Sequence, residues 1–472
     1  MKQIITFIFI LATALSVHSS LWEKAGGFMG NLQGINETKI VVRPKAPQSL
    51  DESLEATYRD ITLTAAGTLA EALGEDANLV DSLVVRGPIN EADFKTMWSA
   101  SFHGKLEVID LENAEIENDI VPECAFWDAK AQFNKYVRLR KIALPDGITE
   151  IGGAAFYNAM YLEEIKLPSS LVKIGDSAFY FCVRLNNLKF PESLEVIEDY
   201  AFTACLNFSG EVFLPEGLKS IGWQAFYNCA ITGINFPSTL EYLGGWSFAG
   251  NMLVEISIPD NCMLASNGCQ FLGNHQLKKA RLPLNATIIP FAFFQGCWVL
   301  EEVDFPTGLV TIEESAFERC MSLQSVSLPE SLESIEGTAF INCSALEEIV
   351  LPASLKTIGD RAFADTGLKK IYSKAVTAPM CTPTTFQGVP NTTPLYIPVG
   401  SRNDYVSTQN YWYNFINIIE TDDFPSLSIN DIDVDGGEDA DTLVYDLMGR
   451  RVDSPQPGQI YIRAGKKFTV KP

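Results

Sequence analysis

Cysteine is the residue type with chemical potential that recurs most regularly, with ten copies in 472 residues. Most of them follow a repeated phenylalanine by three residues, a position held by Asn251 and Asn274 in two other repeats. The cysteines at this position are Cys182, Cys205, Cys229, Cys297, Cys320 and Cys343. Because cysteine is often buried as a small hydrophobic residue, the spacing favours a column of free, buried thiols.

Two other readings of the cysteines concern disulfides and zinc. Adjacent repeats would be close enough for one or two disulfides, and Cys262 and Cys269, which lie off the column, are the best candidate pair. Zinc sites use clustered Cys-x-x-Cys pairs, which this spacing does not provide. We therefore expect no zinc site.

Other catalytic groups are sparse. Histidine occurs at His18, His103 and His275 only, which argues against a histidine-rich metal site. Ser247 lies in a faint nucleophile-elbow pattern, but it occupies an alanine position before a repeated phenylalanine and should be buried. Glu302 and Asp304 could form an acid–base pair, although solvated carboxylates are the simpler interpretation. The sequence thus predicts neither an enzyme nor a cofactor.

A calcium loop is a minor alternative near the C terminus. Aspartates occur at positions one, three, five and nine of such a loop, with Gly436 at position six. They are Asp431, Asp433, Asp435 and Asp439. Position twelve is Thr442 instead of the usual glutamate, so a solvated acidic linker is favoured over calcium binding.

The net charge limits the classes of partner, and the N-terminal sequence predicts the location of the protein. The formal net charge of −24 argues against nucleic acid or anionic lipid as a partner. Lys2, the apolar run Ile4–Leu15 and the small residues that follow are typical of a secretory signal peptide. The run is too short for a membrane span, and we expect an exported protein at the cell surface, at the outer membrane, or secreted.

The elements that position these residues come from one repeated phrase. It reads SLESIEGTAFINCSALEEIVLP at Ser331–Pro352, and its phenylalanines recur every 23 residues, with one step of 24 and one of 22. The recurring phenylalanines are Phe156, Phe179, Phe202, Phe226, Phe248, Phe271, Phe294, Phe317, Phe340 and Phe363. A period in this range predicts a leucine-rich repeat solenoid.

Each coil of this solenoid should contribute a β-strand and a short helix or turn, with a parallel sheet on one face. Proline closes each strand because it has no N–H to donate. We predict the following organisation: signal peptide 1–19, lead-in 20–59, α+β N-terminal cap 60–123, repeats 124–373, C-terminal cap 374–420, acidic linker 421–441 and a small β-meander 442–472.

The outward residues of the sheet are the candidate binding residues. Their charges are mixed, and a solvated face is the simplest interpretation. Extended solenoid faces commonly bind partners, and aromatic and basic side chains are the expected contacts. The candidates are Phe213, Arg281, Tyr372, Lys166 and Lys189.

The phrase at Ser331–Pro352 resembles the BspA-like leucine-rich repeats. The C-terminal YDLMGRRV, IYI and GKKFTV segments resemble the sorting domain that the type IX secretion system reads in exported Bacteroidetes proteins. The resemblance to the BspA-like repeats implies adhesion to host matrix proteins or to other bacteria. Alternatives are a glycan- or peptide-binding surface protein and a structural envelope component, and the oligomeric state is left open.

Overall fold

The computed structural model describes residues 57–129, 136–407 and 410–425, and the backbone of residues 444–446, 460–463 and 466–469. Within these ranges the chain winds as a solenoid whose successive coils pair through short parallel strands. The predicted leucine-rich repeat fold is therefore confirmed. The candidate calcium residues and the signal peptide lie outside the described residues.

A ladder of parallel strands, most of which end just before a proline, forms the front of the solenoid, and we call it the front ladder. In one coil Ile349 and Leu351 have no exposed surface, and Pro352 follows the strand. Neighbouring strands pair in parallel and in register, as Lys141 does with Glu164. The strands are Tyr58–Thr62, Ser82–Ile89, Val108–Asp110, Lys141–Ala143, Glu164–Lys166, Ser209–Phe213, Ala230–Asn235, Glu255–Ser257, Lys279–Arg281, Glu302–Asp304, Glu348–Leu351, Lys370–Ser373, Leu395–Ile397 and Ile418–Glu420.

The front ladder is not the continuous sheet that the repeat predicts. It divides into four sheets: residues 186–189 and 324–327 form no strand, and Ala230–Asn235 does not pair with Glu255–Ser257. At the first interruption the Asn187 side chain replaces backbone pairing. Its Oδ1 accepts a hydrogen bond from the Ser209 N–H at 2.7 Å, and its Nδ2 donates to the Ser209 carbonyl.

A second ladder, which the sequence analysis did not predict, runs along another side of the coils, and we call it the side ladder. Most of its two-residue strands end in an aliphatic residue that lies three positions after a leucine, such as Ile174 after Leu171, both fully buried. The strands are Ile120–Val121, Glu150–Ile151, Lys173–Ile174, Val196–Ile197, Ser220–Ile221, Tyr242–Leu243, Met263–Leu264, Ile288–Ile289, Thr311–Ile312, Ser334–Ile335 and Thr357–Ile358.

A turn connects each side strand to the next front strand, and the outward residues of these turns form the turn face. Residues two before and two after the repeat phenylalanine adopt positive φ, as Ser177 (55°) and Phe181 (58°) do around Phe179. The N–H groups of Ser177, Phe179 and Phe181 donate to carbonyl oxygens of the next coil at 2.8 to 2.9 Å. These turns thus hold adjacent coils together without strand geometry.

The core is a stack of phenylalanines. The rings of Phe317 and Phe340 lie 5.1 Å apart and nearly parallel, and both side chains are fully buried. The stack loosens where one coil has two extra residues between Leu264 and Phe271: Phe271 and Phe294 are 6.1 Å apart. Phe293 packs edge-on against Phe271 at 5.3 Å and fills the space.

Both ends of the stack are covered. At the N-terminal end lie the helices Leu69–Leu73 and Glu91–His103, the 3-10 helices Gly74–Asn78 and Glu117–Asp119, and the strand Ala114–Ile116. Asn90 caps the longer helix, because its Oδ1 accepts a hydrogen bond from the Ala92 N–H at 3.0 Å. Phe94 of that helix meets Phe126 at 6.1 Å, edge to face.

The C-terminal end is covered by the helix Arg402–Tyr405 and the 3-10 helix Tyr411–Asn414. Trp412 is fully buried, lies 5.1 Å from Phe386, and donates its indole N–H to the Pro379 carbonyl at 2.7 Å. The final strands, Val444–Asp446, Ile460–Arg463 and Lys466–Thr469, form the expected antiparallel meander. Among the described residues, no helix has the length and apolarity to cross a membrane.

Candidate binding surface

Most charges on the front ladder are paired across coils. Lysine on one strand meets glutamate on its neighbour, which satisfies both groups but contributes only about 0–1 kcal/mol at an exposed position. The pairs are Lys141–Glu164 at 2.7 Å, Lys279–Glu302 at 2.8 Å and Lys370–Glu348 at 3.4 Å. This accounts for Glu302 as one half of an ion pair.

The stretch around Phe213 differs from the rest of the face. The Phe213 side chain is 68% exposed. It ends a strand whose register shifts between Gly210 and Glu211, and Gly210 adopts φ 78°, a β-bulge geometry that redirects nearby side chains. Lys189 and Glu211 are exposed, and within the described ranges neither forms an ion pair. Phe213 is therefore an exposed aromatic side chain next to two charges that form no ion pair among the described residues. A face that is simply solvated does not account for this arrangement.

The other basic candidates are less available. Lys166 lies one coil before Lys189, but it binds Glu112 at 2.7 Å, and this hydrogen bond raises the pKa of the lysine. Arg281 lies further along the solenoid and binds Asp260 at 2.5 Å and the Ile258 carbonyl at 3.2 Å. The structure thus places Lys166, Lys189 and Phe213 on consecutive coils, apart from Arg281.

Tyr372 is not the exposed aromatic that the sequence predicts. Its side chain is only 9% exposed. The strand Leu395–Ile397 pairs beside it, and the ring of Tyr396 stacks on Tyr372 at 4.4 Å. Val350 on the preceding strand is also buried. The alternation rule assigned Tyr372 to the outward side correctly but could not anticipate that its neighbours would cover it.

The column cysteines form hydrogen bonds to the backbone of the preceding coil. Each thiol donates to the carbonyl oxygen of the repeat phenylalanine one coil earlier, as Cys343 does to Phe317 at 3.2 Å. Asn251 reproduces the bond through Nδ2 to the Phe226 carbonyl at 2.8 Å. All ten cysteines are free, which corrects the proposed pairing of Cys262 with Cys269; both are buried. The predicted column of free, buried thiols is confirmed.

Other groups that could act chemically are committed to the fold. Burial lowers the pKa of His275, whose Nδ1–H donates to the Gly296 carbonyl at 2.8 Å and whose ring stacks on Trp298 at 3.9 Å. Ser247 is fully buried and its hydroxyl has no hydrogen-bond partner. Among the described residues, no three histidine, cysteine or acidic side chains converge as a metal site.

A row of aromatic side chains, not predicted from the sequence, lies on the turn face, and we call it the aromatic stripe. It consists of the half-buried residues Trp127, Tyr157, Tyr180, Tyr200 and Trp223 on five successive coils. Their ring centroids are 4.8, 4.8, 6.3 and 4.7 Å apart in that order. The residues occupy three different positions of the repeat phrase, so column-by-column reading could not group them.

Several solved structures are similar to this chain. A leucine-rich repeat protein from Bacteroides ovatus is 27% identical over 54% of this chain and 82% of its own, with a TM-score of 0.30. A leucine rich cell surface protein from Faecalibacterium prausnitzii is 23% identical over 68% and 84%, with a TM-score of 0.41. The pneumococcal vaccine antigen PcpA is 21% identical over 72% and 79%, with a TM-score of 0.40.

The curated proteins contain no match to the sequence. The family model for the BspA type leucine rich repeat region matches residues 129–255 and 266–388, in six copies. These ranges include most of the coils described above and more than half of the chain. The chain therefore belongs to the BspA type leucine-rich repeat family.

Proposed function

We propose that this protein is exported to the cell surface and binds a protein partner through the front ladder, as an adhesin. The observation that carries the proposal is Phe213, an aromatic side chain that is 68% exposed at a β-bulge and flanked by Lys189 and Glu211, neither of which forms an ion pair among the residues that the structure describes. Aromatic side chains in the centre of a polar surface are typical binding hot spots. A leucine-rich repeat solenoid is typically a binding scaffold, and we propose no catalytic role.

Export rests on the sequence at both ends. The signal-peptide pattern at residues 1–19 supports entry into the secretory route. The tail from residue 442, similar to type IX sorting domains, supports delivery across the outer membrane. We propose that residues 124–373 form the binding region and that the acidic segment 421–441 links it to the tail.

A binding assay with full-length protein tests the role of Phe213. Immobilised extracellular matrix proteins and whole cells of co-resident bacteria are the probes. Phe213→Ala should weaken binding by about tenfold or more, since a hot-spot aromatic contributes about 2 kcal/mol. The matched control is Met263→Ala on the side ladder, because Met263 is similarly exposed at 64%. If Phe213→Ala and Met263→Ala bind the probes equally well, the front ladder is not the binding surface.

Cell fractionation tests the proposed location. Antibodies against the repeats and against the tail should both detect antigen early in export. Only the repeat antibody should detect antigen at the surface if the tail is removed on delivery. Repeat signal that is confined to the periplasm would contradict a surface adhesin. Normal adhesion with a weakened envelope in a deletion strain would favour a structural envelope component instead.

A further inference from the structure

The aromatic stripe lies on a part of the turn face with an unusual charge distribution. The five turns that carry it span residues 122–129, 152–159, 175–182, 198–205 and 222–229. They contain no lysine or arginine. Their carboxylates are Glu123, Asp128, Asp176, Glu198 and Asp199. This surface is therefore aromatic and anionic, unlike the front ladder, where lysine and glutamate neutralise each other.

Several of these carboxylates lack a cationic partner. Glu198 binds Lys173 at 2.9 Å, but Glu123, Asp176 and Asp199 form no ion pair within the part of the chain that the structure describes. Asp199 accepts the Trp223 backbone N–H at 2.6 Å, which fixes the carboxylate beside the stripe. Unpaired anions held next to aromatic rings are complementary to a cationic ligand.

The polar atoms of the stripe are also unused. None of the hydroxyl groups of Tyr157, Tyr180 and Tyr200, nor the indole N–H groups of Trp127 and Trp223, has a hydrogen-bond partner among the described residues. Burial together with Asp176 and Asp199 raises the pKa of Tyr200 to about 12. The phenol therefore stays protonated and able to donate near neutral pH.

We propose that the aromatic stripe and its carboxylates form a second binding surface, for an extended polypeptide segment rich in arginine and lysine. Adjacent coils are about 4.8 Å apart, so the stripe is about 19 Å long and matches about six extended residues. Guanidinium and ammonium groups pair with Asp176, Asp199 and Glu123, while their stems pack on the ring edges. This surface is independent of the front ladder and of Phe213.

Fluorescence anisotropy with full-length protein and labelled oligo-arginine and oligo-lysine peptides tests the proposal. The variant carries Asp176→Asn together with Asp199→Asn, which removes two charges but keeps an acceptor for the Trp223 N–H. It should bind oligo-arginine about five- to tenfold more weakly. The charge-matched control carries Asp110→Asn and Glu255→Gln on the front ladder, away from Phe213, and its affinity should not change.

A second variant separates the rings from the charges. Tyr200→Leu keeps every carboxylate and should weaken oligo-arginine binding by about threefold or more. Its control is Tyr242→Leu, a half-buried tyrosine on the side ladder. Thermal melts establish that each variant is folded.

Three results would overturn the proposal. Equal weakening by the front-ladder control would show attraction by net charge alone. Binding of a neutral oligosaccharide in place of the peptides would assign the stripe to glycans. Failure of the wild-type protein to bind either peptide at low ionic strength would leave the rings with a packing role. A failed Phe213 assay affects none of these outcomes, because it concerns another face.

Discussion

Phe317 lies fully buried in the aromatic stack, with Phe294 at 5.5 Å on one side and Phe340 at 5.1 Å on the other. Phe317→Ala should lower the free energy of unfolding by about 3–5 kcal/mol, because it removes a buried ring and leaves a cavity between two coils. Chemical denaturation measures this. Phe213→Ala, at a 68% exposed site, should change stability by about 0.5 kcal/mol or less. Comparable losses in the two variants would contradict a stack-centred core.

The free cysteines should differ sharply in reactivity. Cys124 is exposed, whereas the column cysteines are buried and their thiols donate to backbone carbonyls, as those of Cys320 and Cys343 do. Burial raises the pKa of Cys229 and Cys343 to about 12, so their reactive thiolate forms are scarce near neutral pH. Alkylation of the native protein at pH 8 should label Cys124 first, and denaturation should expose all ten cysteines. Rapid labelling of the column cysteines in the native protein, detected by mass spectrometry, would contradict this prediction.

The same pKa shifts predict loss of stability in alkali. The pKa of cysteine in an unfolded chain is about 8.5, whereas burial raises the pKa of Cys343 in the folded protein to about 12. Below the unfolded pKa both states hold the proton and the stabilisation is complete. Above it only the unfolded chain ionises, so each such thiol lowers the free energy of unfolding by up to about 1.4 kcal/mol per pH unit. In melts between pH 8 and 11, Cys343→Ser should show a shallower decline than the wild type, and parallel curves would refute this.

At the scale of elements, the turn geometry assigns opposite roles to neighbouring alanines. Ala154 adopts φ 53°, a region that costs a non-glycine residue about 1 kcal/mol or more, whereas Ala155 has no positive φ and is fully buried. Ala154→Gly should change the free energy of unfolding by about 0.5 kcal/mol or less, because relief of strain offsets lost chain entropy. Ala155→Gly should destabilise by about 1–2 kcal/mol. Urea denaturation compares the two, and equal losses would mean that the turns carry no strain.

The sequence predicted the elements whose signal repeats and missed those that depend on contacts between coils. The repeat phenylalanines and the strands before the prolines follow from one period; the phenylalanines are stacked and buried, whereas residues 186–189 and 324–327 form no strand. The side ladder was missed because two-residue strands have no periodicity of their own. The break at Asn187 depends on one side chain binding Ser209 in the next coil.

The candidate binding residues show the same limit. Phe213 could be placed on the outward side from alternation alone, and it is exposed. Burial of Tyr372 under Tyr396 depends on how the C-terminal cap pairs with the last repeat. Tyr200 and Trp223 come together because the turns bring two different repeat positions to one place. Periodicity predicts which residues share one position in successive repeats. A binding surface combines residues from several such positions, so it cannot be predicted from the period alone.

At the scale of the whole molecule, each coil contacts only its neighbours, so stability should spread along the solenoid by nearest-neighbour coupling. The two ends are then the places from which unfolding begins. Trp412 covers Phe386 at the C-terminal end, and Phe94 covers Phe126 at the N-terminal end. Each is fully buried, and its loss would expose the end of the aromatic stack to water.

Trp412→Ala should therefore speed amide hydrogen exchange most in the strand Leu395–Ile397 and progressively less toward Lys141–Ala143. Phe94→Ala should give the mirror-image gradient, since it opens the opposite end. Both variants should lose about 3–5 kcal/mol locally, because each removes a buried aromatic ring. Exchange resolved along the chain by mass spectrometry distinguishes this from global unfolding. A uniform increase in both variants would show that the coils unfold as one cooperative unit, and a gradient from each end would show that the solenoid opens coil by coil.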